Sequence, residues 1–252
     1  MRYISIYSII LSFFLMIPNN SFAQRNITVP EGIWSYDDDY TGQEDWGAVK
    51  GYSVCGNGTK QSPINITYTK PSELPSLNFK YNEAEGVFKL VKNRSFIFYA
   101  VNGGELIVGE ESYNLYSIEI HSPSSHRIKD GFYPAEVHLI HKNKKGDILI
   151  VAQFINIGSE NSTISQIIKP IAERKLDKFK INTHSLISNN QAYYSYDGSL
   201  PYPPCTENVH WKILKAPITI SREQLSFITR IIGRNSRLPQ PVYMREVLES
   251  IP

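Results

Sequence analysis

From Gln61 onward the chain is a succession of short apolar runs divided by turn-forming residues. Residues 77–81, 87–91, 96–101, 105–108, 113–121, 136–141 and 148–157 are rich in β-branched and aromatic side chains, and clusters of Gly, Asn, Lys and Pro separate them. That pattern predicts a large sheet of hairpins and meanders. Asn102-Gly103-Gly104 is a strong hairpin signal among the dividers, because such residues take positive φ at little cost. Helical spacing occurs twice. Ile164, Ile167, Ile168, Ile171 and Leu176 predict a helix over 162–179 that Pro170 should kink or split. Ser221 and Gln224 have capping-box spacing, Leu225, Ile228 and Ile232 make one stripe, and Gly233 should end the helix over 221–233. No internal repeat or linker intervenes, so residues 24–252 are expected to form one mainly β domain with a few peripheral helices.

Composition adds export to this picture. The 252 residues, 41% hydrophobic and 12% aromatic, suffice for one sizeable core, and 16 tyrosines favour sheet over helix. A net charge of +2 supplies no basic field for nucleic acid and no acidic tail. Arg2, an apolar run from Ile4 to Ile17, and Ser21 and Ala23 at small-residue cleavage positions predict a signal peptide over 1–23. That run is too short for a good anchor, and no later segment is long and apolar enough to span a bilayer, so no membrane partner is expected after cleavage. Residues 24–60 lack any period and predict a loop-rich arm packed by Trp34, Tyr36 and Trp46. In an oxidising compartment Cys55 and Cys205 are a candidate disulfide, with two buried thiols as the alternative. Sequons begin at Asn26, Asn57, Asn65, Asn93 and Asn161, the pattern of a secretory glycoprotein.

The candidate chemistry lies between Tyr116 and His141. Glu119 and His121 are two apart in one predicted strand and therefore share a face; Glu136, His138 and Ile140 share a face of the next. If the two runs pair antiparallel, one carboxylate and two imidazoles converge, a His2Glu donor set suited to zinc with an open fourth position. The plain alternative is two strands with scattered polar residues.

Six colinear stretches resemble one family, the α-carbonic anhydrases, and most closely its plant secretory members, a group that includes the dioscorin storage proteins. They are CGNGTKQSPINI at 55–66, VNGGELIV at 101–108, HSPSSH at 121–126, AEVHLIH at 135–141, YYSYDGSLPYPPCTENVHW at 193–211 and NSRLPQPV at 235–242. The resemblance covers about residues 30–245. It implies a large, mostly antiparallel twisted sheet with a conical cavity ending at zinc, a Cys55–Cys205 disulfide, and CO2 or bicarbonate as the small-molecule partner. In the family three imidazoles hold zinc, which lowers the pKa of its bound water to about 7; a threonine–glutamate relay orients the hydroxide, and a rim histidine shuttles the proton.

Carried over residue by residue, the pattern departs at several positions. The His-x-His ligand pair is Glu119-Ile120-His121, while the third ligand is kept as His138 and its orienting carboxylate as Glu136. Ser125 stands for the relay glutamate, Pro201 for the threonine, Tyr202 for a second threonine and Ser95 for the shuttle histidine. Gln61 and Asn93 match polar positions around the site, which puts Asn93 inside the cavity and argues against a glycan there. His126 and His141 are expected to be structural. A carboxylate ligand should raise the pKa of bound water, and losing a preorganised donor such as the threonine typically costs roughly 10²–10³ in rate. The expectation is a secreted protein, in the apoplast, vacuole or plastid, whose hydratase activity is lost or strongly reduced and which is retained for binding, storage or structure. The alternative is a working carbonic anhydrase on a His2Glu zinc site.

Overall fold

The computed structural model describes residues 33–37, 41–91, 95–175 and 179–251; the expected signal peptide, Asn26 and Asn93 lie outside them, as does the side chain of Ser95. The first half of the chain forms α1 (Val54–Asn57), β1 (Asn65–Ile66), β2 (Lys70–Ser72), β3 (Leu77–Tyr81), β4 (Glu83–Val91), β5 (Ser95–Val101), β6 (Gly104–Val108) and β7 (Glu111–His121). The second half forms β8 (Arg127–Ile128), β9 (Ala135–Lys142), β10 (Ile148–Ile157), α2 (Ser162–Ala172), β11 (Phe179–Asn182), β12 (Tyr193–Ser199), β13 (Glu207–Ile220), α3 (Arg222–Ile232) and β14 (Leu248–Ser250). Among the described residues twelve strands make one sheet in the order β11-β4-β5-β7-β9-β10-β13-β12-β14-β2, with β6 also paired to β7 and β3 to β6. Its described pairings are antiparallel except β10–β13 and β14–β2. The mainly β architecture read from the pattern of short runs is therefore what the chain forms.

The central strands are buried on both faces, and their two-residue period divides them between two cores. Along β10, Leu149, Val151 and Ile155 enter one core while Ile150, Ala152 and Phe154 enter the other. The first core is closed by Ile164 and Ile167 of α2 and by Ile228 and Ile232 of α3. Ala135, Val137 and Leu139 of β9, with Ile118 and Ile120 of β7, face this side. Glu119, His121, Glu136 and His138 consequently face the other, where Trp211 and Tyr196 pack. A third cluster joins Trp34, Tyr36 and Trp46 of the N-terminal arm to the Cys55–Cys205 disulfide, as the aromatic content of that arm predicts.

Local signals account for most boundaries. The expected hairpin turn has Asn102 at φ 56° and Gly104 at φ 90°, and a Cβ on Gly104 would meet the Lys80 carbonyl oxygen at 2.2 Å. Ser221 and Gln224 form the capping box of α3, and Gly233 closes it at φ 61°. The expected helix over 162–179 is shorter: it ends at Ala172, just past Pro170, and Phe179 begins a strand. Strands β12 and β13 are not predicted by the apolar pattern. In β13 the alternation breaks around Ala216-Pro217, where the register against β10 slips and buried Gln153 donates to the Ala216 carbonyl at 2.7 Å. Of the sequons described, Asn57 is exposed and Asn65 pairs with Asp130. Asn161 is buried, caps α2 and donates its amide to the Ser185 carbonyl, which disfavours a glycan there.

His141 is structural, as expected. Its Nε2 accepts from the Tyr81 hydroxyl at 2.7 Å and its Nδ1–H donates to the Leu149 carbonyl at 3.3 Å. Burial pushes its pKa down to about 4. Between that value and about 6.5 the unfolded chain takes up a proton that the folded chain refuses, so stability falls as pH drops through this window. Urea unfolding between pH 7 and 5 should show His141→Gln with a slope shallower by about two-thirds of a proton on average, about 0.9 kcal/mol per pH unit. Parallel profiles for the two proteins would place the buried neutral histidine elsewhere.

Candidate metal centre

Strands β7 and β9 pair antiparallel with Glu119 opposite His138 and His121 opposite Glu136. All four side chains therefore share one face, in the arrangement the two-residue spacing predicts. They are buried at 2% exposure or less. The His121 and His138 ring centroids are 4.3 Å apart, and His121 Nε2 lies 3.7 Å from Glu119 Oε2. Glu119, His121 and His138 each offer a donor atom within 4.8 Å of the other two.

Each of the three is held by a partner on its far side. His121 Nδ1 is 2.8 Å from the Asn235 carbonyl oxygen. That oxygen can only accept, so Nδ1 carries the proton and Nε2 keeps a free lone pair in the neutral ring. His138 Nε2–H donates to Glu136 Oε1 at 2.9 Å, which leaves Nδ1 bare. The Tyr202 hydroxyl donates to Glu119 Oε1 at 3.0 Å, which leaves Oε2. Those three remaining atoms, His121 Nε2, His138 Nδ1 and Glu119 Oε2, are buried without a hydrogen-bond partner among the described residues. An orphaned buried acceptor costs roughly 1–3 kcal/mol, and three converging at one point are what a metal ion would satisfy. Partners of this kind fix the tautomer and direction of a ligating histidine. The donor set thus fits zinc.

Burial opposes charge on both rings. It lowers the His121 pKa, but Glu119, the Asn235 carbonyl and Glu136 outweigh it and the net shift is upward. For His138 burial and the neighbouring His121 prevail over Glu136, and the pKa falls to about 4. Burial pushes Glu136 up, yet His126 and His138 together hold it well below the usual carboxylate range. Glu136 also receives the backbone N–H of His126 at 2.8 Å and its Nδ1–H at 2.7 Å. The second donor group, His126, Glu136 and His138, is therefore a satisfied hydrogen-bond network, and His126 is structural as expected.

A cavity of about 330 Å³ opens onto Glu119, walled by Trp34, Tyr99, Tyr116, Lys142 and Tyr202. Neither His121 nor His138 lines it. The Tyr202 ring stacks on Trp34, centroids 6.2 Å apart and 4° from parallel. Pro201 is buried beside it and has no backbone N–H to offer. Ser125 is buried and its hydroxyl has no partner. Gln61, expected near the metal ligands, instead donates to the Cys205 carbonyl and Glu207 and accepts from Arg237, and so supports the 205 loop. Two contacts escape sequence reasoning. Asn235 opens the NSRLPQPV motif but is 114 positions from His121, and in the sequence Tyr202 stands only for a second threonine. No local pattern marks either one.

A buried carboxylate and two imidazoles on a large mixed sheet define a protein with a zinc-type donor set, of which Glu119 borders a cavity. The model of the eukaryotic-type carbonic anhydrase family matches residues 41–251, and the chain belongs to that family. It is 32% identical to a carbonic anhydrase of Klebsiella pneumoniae over 88% of this chain and 93% of that protein. It is 29% identical to alpha carbonic anhydrase 3 of Arabidopsis thaliana, over 80% and 78% respectively. The α-carbonic anhydrase of Thermovibrio ammonificans, solved with the inhibitor sulfanilamide, superposes with TM-score 0.77 at 31% identity, covering 86% of this chain and 98% of that one. Dioscorin solved with ascorbate shares the fold at TM-score 0.77 and 24% identity, covering 87% and 99%.

Tyr202→Phe keeps the ring on Trp34 and removes the donor to Glu119. Chelator competition should show zinc affinity reduced about 10–100-fold in this variant. An unchanged affinity would mean that Glu119 is not a ligand.

Proposed function

We propose that this protein holds zinc on Glu119, His121 and His138, has CO2 hydration lost or strongly reduced, and is retained as a secreted protein that binds a small molecule in the cavity above Glu119. The Tyr202–Glu119 hydrogen bond carries this reading. When bound, zinc supplies the Lewis acidity that makes water a nucleophile near neutral pH. Orienting that nucleophile is the task of the chain, and here the residues are spent otherwise. Pro201 stands where the family has the orienting threonine and brings no hydroxyl. The Tyr202 hydroxyl beside it commits its proton to Glu119. Ser125 is too short to act as the carboxylate of a relay, and Ser95 cannot take up a proton near neutral pH as histidine does. Glu119 adds a negative charge to the donor set, which disfavours ionisation of water there. Asn235, Glu136 and Tyr202 nevertheless still aim each ligand. Selection for metal without turnover accounts for both sets of observations.

A second reading, a working carbonic anhydrase on a His2Glu site, is favoured by the three orphaned donor atoms alone. Stopped-flow CO2 hydration with zinc measured on the same sample separates the two. The expected result is about one zinc per chain and turnover at least ~10²-fold below a variant carrying Ser125→Glu, Pro201→Thr and Tyr202→Thr. Sulfonamide-sensitive turnover equal to that variant's would establish the second reading.

A further inference from the structure

A larger cavity, about 490 Å³, lies between the turn that follows β7 and the segment that follows α3. None of Glu119, His121 or His138 lines it. Its walls include Arg127, Arg234 and Arg237, and no aspartate or glutamate is among its lining residues. Arg237 is 4% exposed. Its guanidinium donates to Gln61 Oε1 at 2.8 Å, the Ser62 carbonyl at 2.9 Å and the Cys55 carbonyl at 3.0 Å, and it sits over the Trp46 ring. All of these acceptors are uncharged. Burial lowers its pKa only to about 10, so the cation persists at neutral pH without a carboxylate. Among the described residues the Arg127 and Arg234 side chains make no hydrogen bond or ion pair. Arg237 turns its guanidinium to Cys55, Gln61, Ser62 and Trp46, which do not line the cavity, so the wall's unengaged cations are Arg127 and Arg234, and an entering anion would supply their counter-charge.

Ser125 belongs to the same wall. In the family pattern this position carries the relay glutamate, so here the wall has a hydroxyl at a position where the family has a carboxylate. The rim is apolar. Phe132 is 64% exposed and Leu238 41% exposed, and Pro123 and Pro239 also line the cavity. Guanidinium forks match the geometry of phosphate and carboxylate oxygens, and the volume is that of a small-molecule site.

We propose that this cavity is a second binding site, separate from the metal centre, for a small organic oxyanion whose phosphate or carboxylate meets Arg127 and Arg234 and whose apolar body lies on Phe132 and Leu238. The site does not depend on metal occupancy.

Phenyl phosphate, benzoate, inorganic phosphate and benzyl alcohol, titrated into the intact protein with its native metal content, test it by calorimetry and amide NMR. Phenyl phosphate or benzoate should bind saturably, shift the amides of Ser124, Arg127 and Arg234, and weaken as salt is raised. The stronger of the two assigns the anion as phosphate or carboxylate. Arg127→Gln with Arg234→Gln, both outside the core, should weaken binding by at least about tenfold, and Phe132→Ser should weaken the two aromatic anions but not inorganic phosphate. Benzyl alcohol should not bind. The proposal fails if neither aromatic anion saturates, if the double variant binds as tightly as the parent, or if the shifts fall on Glu119 and His121 instead. Inorganic phosphate binding as tightly as phenyl phosphate would overturn the apolar part of the assignment.

Discussion

The register between β7 and β9 is the constraint on which the site rests. Pairing Glu119 with His138 and His121 with Glu136 puts four ionisable groups on one face of a sheet whose other face is apolar. Because side chains alternate, a slip of one residue would carry all four into the core closed by α2 and α3 and bring Ile118 and Ile120 out in their place. The apolar residues that alternate with these four groups, Ile118, Ile120, Val137 and Leu139, are thus what keeps them where they are. Packing energy on one face of the sheet specifies chemistry on the other.

Register brings the side chains together, and distant contacts aim them. Asn235 accepts from His121 and also ties down the end of β7, receiving the Ser122 N–H and donating to the Ile120 carbonyl. Glu136 bridges His126 and His138. Tyr202 reaches Glu119 from a loop fastened by the Cys55–Cys205 disulfide and packed under Trp34. These three supports leave one donor atom of each ligand unsatisfied at a common point. A fold that had lost its metal would gain roughly 1–3 kcal/mol for each such atom by letting an apolar side chain replace it. On the function proposed above, three such atoms beside Pro201 and Ser125 are what would separate holding a metal from using it.

The sequence discloses what is local and periodic. Glu119, His121, Glu136 and His138 lie in two clean strand patterns, so their common face follows from spacing alone, and the α3 boundaries follow from Ser221, Gln224 and Gly233. The shorter α2 reflects Pro170, whose effect on the helix was visible but whose exact stopping point was not. β13 was hidden because Leu214, Lys215, Ala216 and Pro217 break the alternation that Val209, Trp211 and Ile213 begin, and the irregularity there is satisfied by Gln153 from another strand. Asn235 and Tyr202 act over separations of 114 and 83 residues, and spacing carries no information at that range. The arginine cavity is of the same kind: Arg127 and Arg237 are brought to one wall only by folding.

The most direct test of a metal-holding site is zinc K-edge X-ray absorption on the protein purified without added metal. Two imidazole nitrogens and a carboxylate oxygen at about 2.0–2.2 Å, with the oxygen contribution replaced by a third imidazole in Glu119→His, would mean that β7 and β9 still build a metal centre. Protein that comes out free of zinc and stays free after zinc is supplied would contradict it, and would make the three buried donor atoms a remnant of the fold.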